Sequence, residues 1–491
     1  MHIYRVMEKN FLSRVVVIVV TVVVALLCLY WLPAVNVGTW SMRKVDLLAD
    51  LRNGDRANAA SADDEQGKED NGNLHNDKTS AVIANLPPVL EGSRLTHDKD
   101  GNVITVEDSI IASVAQVTPQ REGITSIVDM SGGAAGGMSS FYSALDIASA
   151  RPVRIAVLGD SFIEGDIMTA MLRELLQQRF GGSGCGYLPM TSITAKNRVT
   201  VRQSFGGWTQ HKAVDRNGYV DSYNNLTGNY FNASPGAWVN VVTSGMKYQH
   251  AASCTSSSFY YLGGGGTGLV TAFVNGVQFR QFTLTDTETV GCVTVNGDIT
   301  SAKWVVDNPA SIVFLGTSLD SDNGVIVDNL AMRSSRGTHL KDINDRLLTG
   351  FNQVRPYDLV IIMYGLNVAG KVNSEFTQYC SRITAAIENI KRAMPRTSIM
   401  LVSCSDREER NAGGFHTMRG VLGLIQAQKR VAINTRVAFW DLYEAMGGEG
   451  SIVNMVNRGE ASSDYTHLTP KGGDHIARLL YDALMLGYEK R

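Results

Sequence analysis

The chain has 491 residues, 44% hydrophobic and 19% charged, enough apolar material for one to three packed domains. Its 45 Lys and Arg nearly balance 47 Asp and Glu, and the formal net charge of −2 argues against a basic nucleic-acid-binding surface. With 48 Gly, 11 Pro and this apolar fraction, collagen-like, coiled-coil, multi-span membrane and wholly disordered classes are excluded.

The first element is Val15 to Leu32 (VVVIVVTVVVALLCLYWL), 18 uncharged residues closed by Pro33. That length crosses a bilayer as a helix, and Tyr30 and Trp31 stand where an interfacial aromatic pair belongs. Arg5, Lys9 and Arg14 precede it, so residues 1–14 are expected to stay inside and the rest to be exported. A cleaved signal peptide is the alternative; the stretch is long for one and lacks a clear small-x-small site. Residues 33–120 read as a linker, largely disordered. Between Asn53 and Ser80 there is almost no large apolar residue to offset chain entropy, and such a tether would spread over about 30 Å.

At Val153–Leu158 (VRIAVL) an apolar strand begins an α/β pattern, broken by Gly159-Asp160-Ser161. A helix is expected over Asp166–Phe180, with Ile167, Met171, Leu172, Leu175 and Leu176 on one face. The same pattern resumes with strand LVIIM after Asp358, a turn at Gly365-Leu366-Asn367 and a helix from Ser374. Strand Ile399–Ser403, helix Phe415–Ala432, strand Val437–Trp440 and a last helix from Lys471 complete it. Strands alternating with helices predict a doubly wound parallel sheet. Between Met190 and Asp328 no helical period survives, and short β-rich runs predict an inserted antiparallel β-sandwich. The division is therefore 1–14, anchor 15–32, linker 33–120, α/β part 121–190, insert 191–328 and α/β part 329–491.

Cys28 lies in the anchor. Cys185, Cys254, Cys292, Cys380 and Cys404 form no CxxC pair, so no zinc site or dense disulfide framework is indicated. Cys254 and Cys292 share the β-rich region and are a possible pair, whereas Cys380 and Cys404 read as core residues.

Ligands sit at the carboxyl ends of strands in such a sheet. Ser161 follows one strand, Asn367 another, and Asp464-Tyr465-Thr466-His467 precedes the last helix. A serine hydroxyl needs a base, and a histidine base works best when a carboxylate fixes its tautomer. Asp464 and His467, three residues apart, let one loop supply both. Asn367 can offer a side-chain N–H to an oxyanion beside the backbone N–H of Ser161. Glu164, Asp166, His416 and His475 read as solvated or capping residues without a role.

The run VLGDSFIEGD resembles the nucleophile block of the SGNH/GDSL hydrolase family, YGLN its asparagine block and DYTHLTPKG its Asp-x-x-His block. With an insert between the first two, the chain resembles the peptidoglycan O-acetylesterase type, whose inserted module looks like a carbohydrate-binding domain. The resemblance covers about Ile124–Gly186 and Asn329–Leu486. It implies Ser161 as nucleophile, His467 as base, Asp464 as its partner and an oxyanion hole of Ser161, Asn367 and a fourth-block residue. That block normally holds glycine; here Ser334 stands in its place, with Gly337 as the alternative donor. The resemblance further implies removal of O-acetyl groups from a cell-wall glycan such as peptidoglycan, in the periplasm of a bacterium and tethered to its inner membrane, with no cofactor or metal. Trp208, Trp238, Tyr260 and Tyr261 are candidate sugar platforms. An envelope O-acetyltransferase and a non-catalytic glycan-binding protein are the alternatives.

Overall fold

The computed structural model describes residues 118–491 apart from 264–265, 286–288, 371–375 and 412–413. Ahead of these it describes two short antiparallel pairs, Asn36–Val37 with Trp40–Ser41 and Thr96–His97 with Val103–Ile104, and the chain divides into units Met1–Glu91 and Gly92–Arg491. The expected anchor and tether lie outside the described residues. Among the described residues no helix is long and apolar enough to cross a membrane.

A six-stranded sheet is built from β1 (Val128–Asp129), β2 (Pro152–Gly159), β3 (Gly324–Ala331), β4 (Leu359–Met363), β5 (Ser398–Val402) and β6 (Ala438–Trp440). Its order is β3-β2-β4-β5-β6-β1, all parallel except β1. Strands β4 and β5, LVIIM and SIMLV, are buried at every residue, so both faces of the sheet need cover. Two sets of helices supply it. The helices α1 (Met138–Asp146), α2 (Thr169–Phe180) and α6 (Pro470–Lys490) meet around Tyr488, whose ring lies 6.3 Å from Tyr142 and 5.2 Å from Phe180. In the other set, α4 (Thr377–Ala393) pairs with α3 (Asp345–Val354) through Arg392–Asp345 at 2.8 Å, and with α5 (Arg419–Thr435) through Gln428 and Tyr379.

The helix expected from Phe415 begins later, at Arg419. Phe415 and His416 instead lie in a hairpin, Glu408–Asn411 paired with Gly414–Thr417. The 3-and-4 spacing of buried apolar residues starts only at Val421 and runs through Leu424, Ile425, Val431 and Ala432, which is why no helical face exists before it.

The insert is one nine-stranded antiparallel sheet rather than two stacked ones. Its path runs 277–284, 268–274, 301–308, 229–243, 313–320, 254–262 and 290–299, with Gly186–Pro189 and Val201–Lys212 as side branches. The strands ending this path, 277–284 and 290–299, are consecutive in the chain, so the sheet curls almost onto itself. Register shifts at Tyr260/Tyr261, Ala272/Phe273 and Gly206/Trp208 supply bends. The curled sheet encloses Phe231, Phe259, Trp304 and Phe314. An alternating strand pattern serves a sandwich and a curled sheet equally well, and bulges decide between them. The antiparallel strands run from Gly186 to Asp320, whereas 324–328, placed in the insert by the sequence reading, belong to β3.

Cys254 pairs with Ile299 across the ladder and Cys292 with Tyr260. Six residues of extended strand separate the two thiols, about 20 Å, so they form no disulfide.

The two sheets are joined by a buried guanidinium. Arg355, following α3, donates to both carboxylate oxygens of Asp320 at 2.6 and 2.9 Å and both of Asp328 at 2.5 and 2.7 Å. Tyr357 adds a hydrogen bond to Asp328, and Arg355 also donates to the Tyr260 hydroxyl. Burial works to raise the Asp320 pKa, but the Arg355 charge outweighs it and holds the carboxyl below its ordinary 3.8.

Replacing Arg355 with Ala removes the guanidinium that both buried carboxylates contact and should cost about 3–5 kcal/mol. The wild type should lose stability as pH falls below about 4, because the depressed carboxyl must then take a proton. In the variant Asp320, still buried but without the Arg355 charge that outweighs burial, should instead gain stability on acidification. Thermal unfolding from pH 3 to 8 on both proteins checks the reversal.

Candidate active site

Gly159, the last residue of β2, lies opposite Ala331 of β3 and Met363 of β4. The turns leaving three adjacent strands therefore bring Ser161, Ser334 and Asn367 together. The chain order reverses here, since β3 and β4 flank β2, and a crevice opens at such a switch point. His467 arrives from outside the sheet, on the loop before α6. Thr469 caps that helix by accepting from the Gly472 N–H, and Pro470 occupies its first turn. A Cβ on Gly472 would lie 1.8 Å from Glu460 O, and one on Gly473 1.9 Å from Ile167 O. Only glycines let the start of α6 sit this close to the nucleophile's side of the molecule.

His467 Nε2 lies 2.9 Å from Ser161 Oγ, and His467 Nδ1 lies 2.7 Å from Asp464 Oδ2. A carboxylate can only accept, so Nδ1 carries the proton and Nε2 is left to accept the serine proton. The other Asp464 oxygen, Oδ1, accepts from the backbone N–H of Thr466 and of His467, both at 3.0 Å. One oxygen thus folds the loop and the other orients the imidazole. Burial tends to raise the Asp464 pKa, but the hydrogen bonds from His467 and Thr466 prevail and hold it below its ordinary value. The His467 and Asp464 side chains keep 40% and 50% of their surface, so the relay opens to solvent.

Among the described residues, no acceptor takes the backbone N–H of Ser161 or of Ser334. Ser334 has φ +66°, the left-handed conformation that favours glycine. The serine keeps the backbone geometry at a cost in strain. The Gly337 N–H donates to Ser335 Oγ at 3.0 Å, within its own turn. Asn367 Nδ2 donates to Asp160 Oδ2 at 3.1 Å and to Ser335 O at 3.0 Å.

Several residues that the sequence reading set aside hold this site. Asp166 is fully buried, with φ +67°, rather than solvated. Its carboxylate meets Arg173, Arg198, Thr169 and Thr200. Burial opposes its charge, but the two guanidiniums outweigh burial and keep its pKa well below the ordinary range. The helix expected from Asp166 begins at Thr169, so Asp166 meets Arg173 from outside α2 and not by helical spacing, and Arg198 comes from beyond the α/β pattern. Glu164 pairs with Arg333 at 2.6 Å, beside Ser334. Asn329 donates to Ile163 O and Thr169 Oγ1, anchoring the turn after Ser161. His475 contacts Glu460, and His416 lies in the hairpin opposite Glu409.

Of the candidate platforms, Tyr260 and Tyr261 are buried, and Trp208 packs edge-on against Phe231 and Phe314. Trp238 is half-buried, with the Lys303 ammonium 5.2 Å from its ring. Among the described residues no cluster of three or more His, Cys, Asp or Glu could hold a metal ion.

Residues 297–474 match the GDSL-like Lipase/Acylhydrolase family model, a stretch holding Ser334, Asn367, Asp464 and His467 but beginning after Ser161. No curated protein matches the chain. Among solved structures, a peptidoglycan O-acetylesterase superposes with TM-score 0.62 at 21% identity, over 74% of this chain and 99% of that one. A family two carbohydrate esterase from Cellvibrio japonicus matches with TM-score 0.25 at 9% identity, over 59% of this chain and 99% of the other. The first of these shows the fold; the second is too distant to support an argument.

The relay predicts losses of about 10⁴-fold or more in turnover for Ser161→Ala and His467→Ala, which act as one unit. Asp464→Asn should lose up to about 10⁴-fold by releasing the tautomer. Because its pKa is depressed, Asp464 stays ionised throughout the range above 3.8 and contributes nothing to an acid limb near neutrality. Ser334→Gly should retain activity, since only the backbone N–H is used, whereas Ser334→Pro should lose it. Initial rates on a small acetyl ester check all five variants.

Proposed function

We propose that this chain, of which residues 297–474 match the GDSL-like Lipase/Acylhydrolase family model, is a serine esterase of that family that removes O-acetyl groups from a cell-wall glycan, peptidoglycan in particular. The observation that carries the reading is the Ser161–His467–Asp464 relay, with contacts of 2.9 and 2.7 Å.

In the reaction, Ser161 Oγ attacks the acetyl carbonyl while His467 Nε2 takes its proton. Asp464 stabilises the imidazolium through Nδ1. The backbone N–H groups of Ser161 and Ser334, with Asn367 Nδ2, receive the negative charge that develops on the carbonyl oxygen. His467 then returns the proton to the departing glycan hydroxyl, leaving acetyl-Ser161. A water, deprotonated by the same imidazole, adds to the acetyl carbonyl; the bond to Ser161 Oγ then breaks, acetate leaves, and His467 returns the proton to Ser161 Oγ.

Three features support an acetylated polymer as substrate. The relay is open enough for a chain to cross it. The crevice behind the nucleophile turn, lined by Asp160, Phe162, Leu366 and Leu442 among others, is small and suits a short acyl group rather than a larger ligand. The superposed solved structure is a peptidoglycan O-acetylesterase. In this reading residues 15–32 anchor the protein in a bacterial inner membrane, residues 33–120 tether it, and the catalytic part works in the periplasm. The curled insert holds the glycan, with Trp238 and Lys303 on its outer face.

Purified protein incubated with O-acetylated peptidoglycan should release free acetate that Ser161→Ala does not release. Acetyl appearing on an added glycan instead of in solution would make it a transferase. Trp238→Ala should lower acetate release from the polymer several-fold and leave a small acetyl ester unaffected. Equal losses on both substrates would confine the insert to a structural part.

A further inference from the structure

We propose that Asp160 is a positioning residue that aims the side-chain amide of Asn367 at the oxyanion. The inference rests on reading Ser161 as the nucleophile. Asp160 is 1% exposed, and its carboxylate bridges two turns. Its Oδ1 accepts from Phe162 N at 2.9 Å, in the turn leaving β2, and its Oδ2 accepts from Asn367 Nδ2 at 3.1 Å, in the turn leaving β4. A primary amide has a donor end and an acceptor end of nearly equal shape, so packing alone does not decide which end faces a site. Here two oxygens decide it. Asp160 Oδ2 and Ser335 O both require the N–H₂ end of Asn367 on their side, and the flipped amide would set its own oxygen against both.

This arrangement also explains how the donor is tuned. Both N–H bonds of Asn367 are engaged, so an oxyanion receives a shared hydrogen from an amide already held in place, with little reorganisation as charge develops. The bond to an ionised carboxylate depends on that charge. Burial pushes the Asp160 pKa up to about 6, against the lowering effects of the Phe162 N–H, His467 and Asn367. The titratable groups facing it are His467 on its loop, Tyr364 after β4, Cys404 after β5 and Tyr379 on α4. Above pH 6 the carboxylate accepts from Asn367. Below it, a proton on Oδ2 meets the amide donor head-on and the clamp loosens.

The test uses the full-length protein and a small acetyl ester. Asp160→Ala should lower kcat by about 10²-fold with KM little changed, the lower end of what losing one oxyanion donor costs. The double variant Asp160→Ala/Asn367→Ala should be no slower than Asn367→Ala alone, because both changes remove the same interaction. Asp160→Asn keeps an oxygen that accepts from Asn367 and should recover most of kcat. It cannot titrate near pH 6, so its kcat profile should show one fewer ionisation on the acid side than the wild type. Multiplicative losses in the double variant, an Asp160→Ala enzyme with wild-type kcat, or an unchanged acid limb in Asp160→Asn would each overturn the proposal. Labelling of Ser161 by a serine-directed fluorophosphonate separates the two readings: no labelling of the wild type removes the nucleophile assignment, whereas labelling with multiplicative losses removes only the role of Asp160.

Discussion

The buried guanidinium of Arg355 is the constraint on which the two-sheet structure turns. Asp320 ends the last strand of the insert and Asp328 lies in β3, the strand that leads to Ser334. Two carboxylates this close and this deeply buried would repel and draw protons unless a cation lay between them. Arg355 meets both in bidentate fashion, so the chain cannot leave the insert at any other angle without stranding a charge. A similar device stands at the point of entry. Asp166, just after the nucleophile turn, is fixed by Arg173 of α2 and by Arg198, which precedes the first long strand of the insert. Entry and exit are therefore both tied by buried ion pairs to the strands that carry the site. Such pairs contribute geometry more than net stability, because desolvation offsets much of their attraction.

With the insert pinned at both ends, its size is no obstacle to the parallel sheet. The sheet passes from β2 to β3 across the whole antiparallel module and still pairs in register from Gly324↔Pro152 to Ala331↔Gly159. That register fixes how far each turn projects beyond the strand ends. Ser161, Ser334 and Asn367 meet because Gly159 is level with Ala331 on one side and Met363 on the other. The relay then needs only one further contribution, the loop before α6, and the Gly472–Gly473 pair brings it within reach.

What was legible in the sequence follows from how local its cause is. The strand LVIIM could be read to the residue, since a strand buried on both faces is a continuous apolar run. Ser161, Asp464, His467 and Asn367 could be named because their order and spacing are local, and the structure places all four together. The helices Met138–Asp146 and Asp345–Val354 were not foreseen: both are short, and each precedes the strand at which the apolar α/β pattern begins or resumes in the sequence. The curled form of the insert depends on bulges, and a bulge is a relation between two strands that one strand does not display. The burial of Asp166 depends on Arg198, 32 residues away, and nothing near either residue announces it. The clamp by Asp160 was also hidden. In the sequence it is one letter of a turn, and its partner arrives from a strand beyond the insert.

Ser334 shows the same division between local and distant causes. A non-glycine residue at φ +66° costs on the order of 1 kcal/mol, and it persists only where its surroundings over-determine the backbone. The flanking bonds do so: Met332 N donates to Gly159 O, Ser335 N to Met332 O, and Ser335 O accepts from Asn367. Arg333 is held at the same time by Glu164, from the segment after the nucleophile turn. The left-handed turn is thus tied to the turns leaving β2 and β4, the same turns that Asp160 joins. A substitution that relaxed Ser334 alone would leave these bonds in place, and one that broke them would release the backbone N–H from the crevice. The position is defined by its bonds to the neighbouring turns, which is how a serine can stand there with glycine's conformation.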